Sequence, residues 1–171
     1  GGYIKGTKEV LLSYNDDGDI SMYRFNTNPK EIVPFFETDN EVYALVLDGG
    51  KTIFINEVRD NGQRCYVLQN GKEAEEVAKG DECWIAPEGK IILTKDVSSK
   101  GYLTVNAYDI KGENEVVVLD DEENVLNNYY NYTVDGKFIF FTVEDDDGAK
   151  VKVVSTSNGE VIAESDTFFD I

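Results

Sequence analysis

The chain has 171 residues, of which 34 are Asp or Glu and 16 are Lys or Arg, for a net charge of −18, and it contains no histidine. The missing histidine excludes Ser-His-Asp and Cys-His nucleophile systems and His-ligated zinc or iron, while the charge argues against nucleic acid and anionic membrane as partners, which are bound through clustered Lys and Arg. At 41% apolar residues, with 10 Tyr and 9 Phe, the composition is that of a single globular domain over 1–171 and not of a disordered acidic tail. Gly1-Gly2 opens the chain without methionine and reads as a processed or excised end, and no signal peptide or apolar run of about 18 residues follows.

In chain order, the first signal is a turn, Lys5-Gly6-Thr7-Lys8, ahead of the apolar Val10-Leu11-Leu12. It is a degenerate copy of three clearer ones: Asp48-Gly49-Gly50-Lys51 before Thr52-Ile53-Phe54-Ile55, Pro87-Glu88-Gly89-Lys90 before Ile91-Ile92-Leu93, and Val134-Asp135-Gly136-Lys137 before Phe138-Ile139-Phe140-Phe141. The lysines at 8, 51, 90 and 137 lie 43, 39 and 47 residues apart. A second turn follows each at 10 or 11 residues and carries the glycine that a short hairpin uses for positive φ: Gly18, Gly62, Gly101 and Gly148. A third comes one strand later, at Asn28-Pro29-Lys30, Asn70-Gly71-Lys72, Lys111-Gly112-Glu113 and Asn158-Gly159-Glu160.

Between turns the segments have the length and the Val, Ile, Tyr, Phe and Thr content of strands. Each unit holds a strand after the Gly-Lys turn (Phe138 to Val143), one after the second glycine (Lys150 to Ser155), one after the third turn (Glu160 to Ala163) and one leading into the next unit (Glu82 to Ala86, Tyr129 to Thr133). Lys72 to Lys79 favours helix by composition, but its place in the repeat predicts an outer edge strand. Repeats at about 1–37, 38–80, 81–123 and 124–171, four antiparallel strands each, have the period of a β-propeller blade. The Gly-Lys turns resemble the TolB-like family of repeats, relatives of the WD type: Ile85-Ala86-Pro87-Glu88-Gly89-Lys90 is the nearest copy, and Tyr132-Thr133-Val134-Asp135-Gly136-Lys137 keeps Thr, Asp, Gly and Lys. The resemblance implies architecture; such repeats occur in periplasmic scaffolds, in propeller domains of prolyl-oligopeptidase-like enzymes and in surface proteins.

The expected fold is therefore an all-β propeller of four four-stranded blades. The chain would start on the second strand of its first blade, Glu9 to Tyr14, and its C-terminal strand, 167–171, would complete that blade. The alternative is a four-blade segment of a larger propeller, completed by missing sequence or by a second copy in a homodimer.

Connections in a propeller alternate between its ends, which sorts the charges. Gly-Lys turns and third turns hold Lys5, Lys8, Lys30, Lys51, Lys72, Lys90, Lys111 and Lys137. Second turns and links between blades hold the acids, and the candidate binding residues are Asp16, Asp17, Asp19, Asp60, Asp120, Asp121, Asp145, Asp146 and Asp147. Asp81 and Glu82 join them in a link. Such loops would suit a basic protein partner by steering or calcium through oxygen ligands, although Asn15 to Asp19 and Glu144 to Gly148 miss the EF-hand spacing; otherwise they are solvated hairpin tips that keep strand edges soluble. No other cofactor and no catalytic residue is indicated.

Cys65 and Cys83, 18 positions apart without a CxxC, read as two separate buried thiols. Trp84 and Tyr66 fall within strands and should pack between blades. Asn131-Tyr132-Thr133 fits a glycosylation sequon but lies in an expected strand. The functional expectation is a non-catalytic binding or scaffold module of an extracytoplasmic bacterial protein, periplasmic, secreted or membrane-anchored. Its rival is the propeller domain of a larger hydrolase, prolyl-oligopeptidase-like or a glycosidase, with its catalytic residues outside this chain.

Overall fold

The computed structural model describes residues 2–3, 9–16, 19–27, 30–70, 73–86, 88, 90–122, 125–145 and 148–165. The Lys5 to Lys8 turn, Gly18 and the expected closing strand 167–171 lie outside them. The described residues form strands and one 3-10 turn, with no α-helix. Glycine or a short polar turn every six to nine residues lets β-branched and aromatic segments fold back on themselves, so the strands form up-and-down meanders.

The first meander is β1 (Gly2–Tyr3), β2 (Glu9–Asp16), β3 (Asp19–Thr27) and β4 (Lys30–Thr38). The second is β5 (Glu41–Leu47), the 3-10 turn Asp48–Gly50, then β6 (Thr52–Arg59), β7 (Gly62–Gln69) and β8 (Glu75–Gly80). β9 (Glu82–Ala86), β10 (Ile91–Val97), β11 (Leu103–Tyr108) and β12 (Val116–Glu122) make the third. The fourth is β13 (Val125–Tyr132), β14 (Phe138–Asp145), β15 (Gly148–Ser155) and β16 (Val161–Ser165). Each is a four-stranded antiparallel sheet with its strands in sequence order, so the all-β fold with four four-stranded propeller blades stands. β8 is a strand despite its helix-favouring residues, as its place in the repeat requires.

One expectation changes. The chain does not open on the second strand of its first blade: Gly2 pairs with Leu11 and Tyr3 with Val10, giving the first sheet a short strand of its own beside β2. Two residues are too few for any alternating pattern to announce them.

By its contacts the chain divides into two compact units, 1–77 and 78–171, with the boundary inside β8. In the first unit the core joins Met22 of β3 and Phe35 and Phe36 of β4 to Ile53, Ile55 and Leu68 of the second sheet. In the second unit Leu93, Leu103, Val105 and Ala107 of the third sheet pack against Tyr130, Ile139, Phe141, Val143 and Val154 of the fourth. Burial of such side chains stabilises by roughly 1.5–3 kcal/mol each.

The Gly-Lys turn shows why its residues recur. At Thr133 to Phe138, the Asp135 carboxylate accepts hydrogen bonds from Thr133 Oγ1 (2.7 Å) and the Lys137 amide (3.1 Å), and Gly136 takes φ 71°. A Cβ there would stand 2.6 Å from Ala86 Cβ, so the glycine also permits close approach of the neighbouring sheet. The strand partner docks on the same spot in two repeats: the Asn70 amide donates to Lys51 O at 2.7 Å and the Thr156 amide to Lys137 O at 2.9 Å. At the second turns Gly62, Gly101 and Gly148 all have positive φ, as hairpin geometry demands.

Cys65 and Cys83 are buried but are not free thiols, contrary to expectation; both are disulfide-bonded. No local motif in the sequence announces this state.

Candidate functional site

The described acids fall where each meander places its second turn. Asp16 and Asp19 oppose one another at the close of the β2–β3 hairpin. Asp60 sits in the turn closed by Arg59 and Gly62, and Asp145 opposes Gly148. In the third sheet Leu103 pairs with Glu122, which puts Asp120 and Asp121 at the end where β10 passes to β11. The Asp60 and Asp120 side chains are exposed. Asp17, Asp146 and Asp147 lie outside the described residues. Among the described residues, no three His, Cys, Asp or Glu side chains are grouped to hold a metal ion.

Two acids of the blade links are engaged locally. Asp81 Oδ2 accepts the Val97 amide at 2.7 Å while the Asp81 amide donates to Asp96 Oδ1 at 3.1 Å. Glu82 Oε1 receives Lys95 Nζ at 2.5 Å. These carboxylates fasten β9 and β10 at their shared end.

The most elaborate polar centre is one that no sequence motif marks. Glu57 of β6 is 1% exposed. Its Oε1 accepts Thr38 Oγ1 at 2.5 Å and Asn40 Nδ2 at 2.8 Å; its Oε2 accepts Arg59 Nε at 2.8 Å and Tyr66 OH at 2.9 Å. Arg59 Nη2 donates in turn to the Tyr66 oxygen at 3.2 Å. Burial pushes the Glu57 carboxyl up, but the hydrogen bonds from Thr38, Asn40, Arg59 and Tyr66 outweigh it and bring it from 4.5 to about 2. The donors come from the end of β4, the link after it, β6 and β7, so one carboxylate ties the first sheet to the second. Every oxygen is satisfied and no side is open, which is the chemistry of a structural clamp and not of a proton-transfer site. The available signal was Glu57 and Arg59 two apart, hence on one face, after the apolar run Ile53 to Ile55.

The aromatic residues pack between sheets as expected. Tyr66 meets Phe36 edge-on at 5.0 Å, and Trp84 stacks on Tyr130 at 5.3 Å and Tyr132 at 6.3 Å. Asn131 lies in strand β13.

No family model matches the chain, and no curated protein matches it. Solved structures do. The tricorn protease superposes with a TM-score of 0.53 at 12% identity, over 86% of this chain and 17% of that one. An uncharacterized protein of Listeria monocytogenes superposes with a TM-score of 0.50 at 13% identity, over 94% of this chain and 52% of that one. TolB from Acinetobacter baumannii gives 0.48 at 15% identity, over 90% and 39%. The chain thus spans about half or less of each of these proteins, and its likeness to the tricorn protease and to the Listeria protein is one of fold alone.

Proposed function

We propose that this chain is a non-catalytic propeller module that binds a basic protein partner, or a cation such as calcium, through its acidic second turns. The observation that carries the reading is the placement of Asp16 and Asp19, Asp60, Asp120 and Asp121, and Asp145 at the second-turn end of their respective sheets. Carboxylates on hairpin tips raise the local concentration of a cationic partner and speed its association. An extracytoplasmic bacterial setting fits the disulfide-bonded cysteines, because such bonds persist in oxidising compartments. No helix of the described residues is long and apolar enough to cross a membrane. The fold likeness to the tricorn protease, of which this chain would match 17%, favours a second reading, the propeller domain of a larger hydrolase.

The test compares two variants of equal charge change, each titrated with decalysine and with calcium. One replaces Asp16, Asp19, Asp60, Asp120 and Asp145 by Asn; the other replaces Glu73, Glu75, Glu76, Glu113 and Glu160 by Gln. The first should weaken binding by at least about tenfold and flatten its salt dependence, with the second within about threefold of the parent. Equal losses in both variants would reduce the acidic turns to general charge and sink the reading.

A further inference from the structure

We propose that the unpaired edge of β5, at the opposite side of its sheet from β8, takes up an extended strand from a partner polypeptide, apolar in its middle and basic at its ends. β5 stands at the edge of its sheet. It pairs with β6 in an unbroken register, from Glu41 opposite Val58 to Leu47 opposite Thr52, and contains no Pro, Gly, Lys or Arg. Other sheet edges are blunted in the usual ways. β4 carries Pro34 and Lys30, and β8 carries Glu75, Glu76 and Lys79. β12, β13 and β16 meet their neighbours through register shifts, and β9 is largely buried.

On β5 three apolar side chains are uncovered, Tyr43 at 59%, Leu45 at 40% and Val46 at 36%, while Val42 packs against the core and Leu47 is buried. Tyr43 and Leu45 share one face and Val46 the other, so an added strand would find apolar contacts on both sides of its backbone. Exposed Asp39 and Glu41 mark one end and exposed Asp48 the other, and Tyr43 OH donates to Glu41 Oε1 at 2.7 Å. The charges select the occupant. An antiparallel second copy would bring the Asp39 and Glu41 of one chain to the Asp48 of the other, whereas a strand with basic ends meets acid at both. The inference rests on the reading of the chain as a binding module but uses a surface distinct from the hairpin tips.

The probe is the peptide Lys-Lys-Val-Thr-Val-Thr-Val-Lys-Lys, alongside the same peptide N-methylated at its valines and a version with Glu for Lys. The free strand should slow amide exchange at alternate residues of Glu41–Leu47 by at least about tenfold, and both altered peptides should bind at least about tenfold more weakly. Leu45→Lys and Val46→Lys, on opposite faces of an exposed strand, should each weaken binding comparably, and the five-Asp tip variant should still slow exchange in β5. Undiminished binding of the N-methylated peptide, or protection elsewhere than β5, overturns the proposal. So does binding that appears only after removal of 166–171, or a dimer of the free chain that Leu45→Lys dissolves, since the occupant would then be the chain's own terminus or a second copy. Undiminished decalysine binding by the five-Asp variant, with strand binding retained, would instead fault the acidic turns alone.

Discussion

The two units join neighbouring sheets by opposite means. In the first, the apolar contacts around Ile53, Ile55 and Leu68 are supplemented by Glu57, whose carboxylate receives four side-chain hydrogen bonds. In the second, the sheets meet through an extended apolar core, and the polar atoms caught in it have nothing to bond: among the described residues, Trp84 Nε1 and Tyr130 OH are buried without a partner. A satisfied buried polar network is stable but intolerant of losing a member; a dry core tolerates neither cavities nor stranded hydroxyls. The same blade-on-blade geometry can therefore be cohesive through either chemistry, and the two should fail differently.

The largest effect should come from the dry core. Leu93 is fully buried, and Leu93→Ala should cost about 4 kcal/mol by lost transfer energy and the cavity left behind. Trp84, the chain's one tryptophan, stacks in the same unit, so urea unfolding followed by its fluorescence reads the loss. The cost should be the same at pH 7 and pH 4. A pH-dependent cost would mean that ionisable groups also hold this unit together.

Glu57→Ala comes next, at about 3 kcal/mol, because it strands Thr38, Asn40 and Tyr66 donors in a buried site. Amide exchange in β6 is the measurement that reports on this unit. The parent should also show an acid transition here. The folded carboxyl titrates at about 2 against an ordinary 4.5, so its stabilisation is complete above pH 4.5 and is lost as pH falls through 2. Its full size is about 3 kcal/mol. Glu57→Ala should remove that acid step from β6 and leave exchange in β10 and β14 unchanged.

The repeat was legible and the clamp was not, for a physical reason. Turns are local: Gly62, Gly101 and Gly148 mark positive φ, and the Asp135, Gly136 and Lys137 motif closes through bonds a few residues apart. Strand identity followed from spacing even at β8, where propensity pointed to helix. The Glu57 centre instead gathers Thr38 and Asn40 from 19 and 17 residues away, and one Glu among 34 acids gave no reason to be singled out. The disulfide-bonded state of Cys65 and Cys83 was hidden likewise, since no local motif such as CxxC accompanies either cysteine. Among the candidate acids, the turns fixed which end of a sheet each would occupy, but Asp81 and Glu82 were not distinguishable as bonded groups until Val97 N and Lys95 Nζ were placed beside them.

The smallest effect is the most discriminating, because one substitution made in both units should change sign. Tyr66→Phe keeps the edge-on contact with Phe36 but deletes the hydroxyl that donates to Glu57 and accepts from Arg59. It should cost about 1 kcal/mol, and with one fewer donor holding the carboxylate, the acid step in β6 should move to higher pH. Tyr130 is 6% exposed and its hydroxyl has no partner, and burial pushes that phenol's ionisation up. Tyr130→Phe retains the stack on Trp84 and relieves a desolvated oxygen, so it should be neutral or stabilising by up to about 1 kcal/mol. Equal destabilisation by the two substitutions, read by β6 exchange and Trp84 fluorescence, would show that the second core is hydrogen-bonded after all and would erase the contrast between the units.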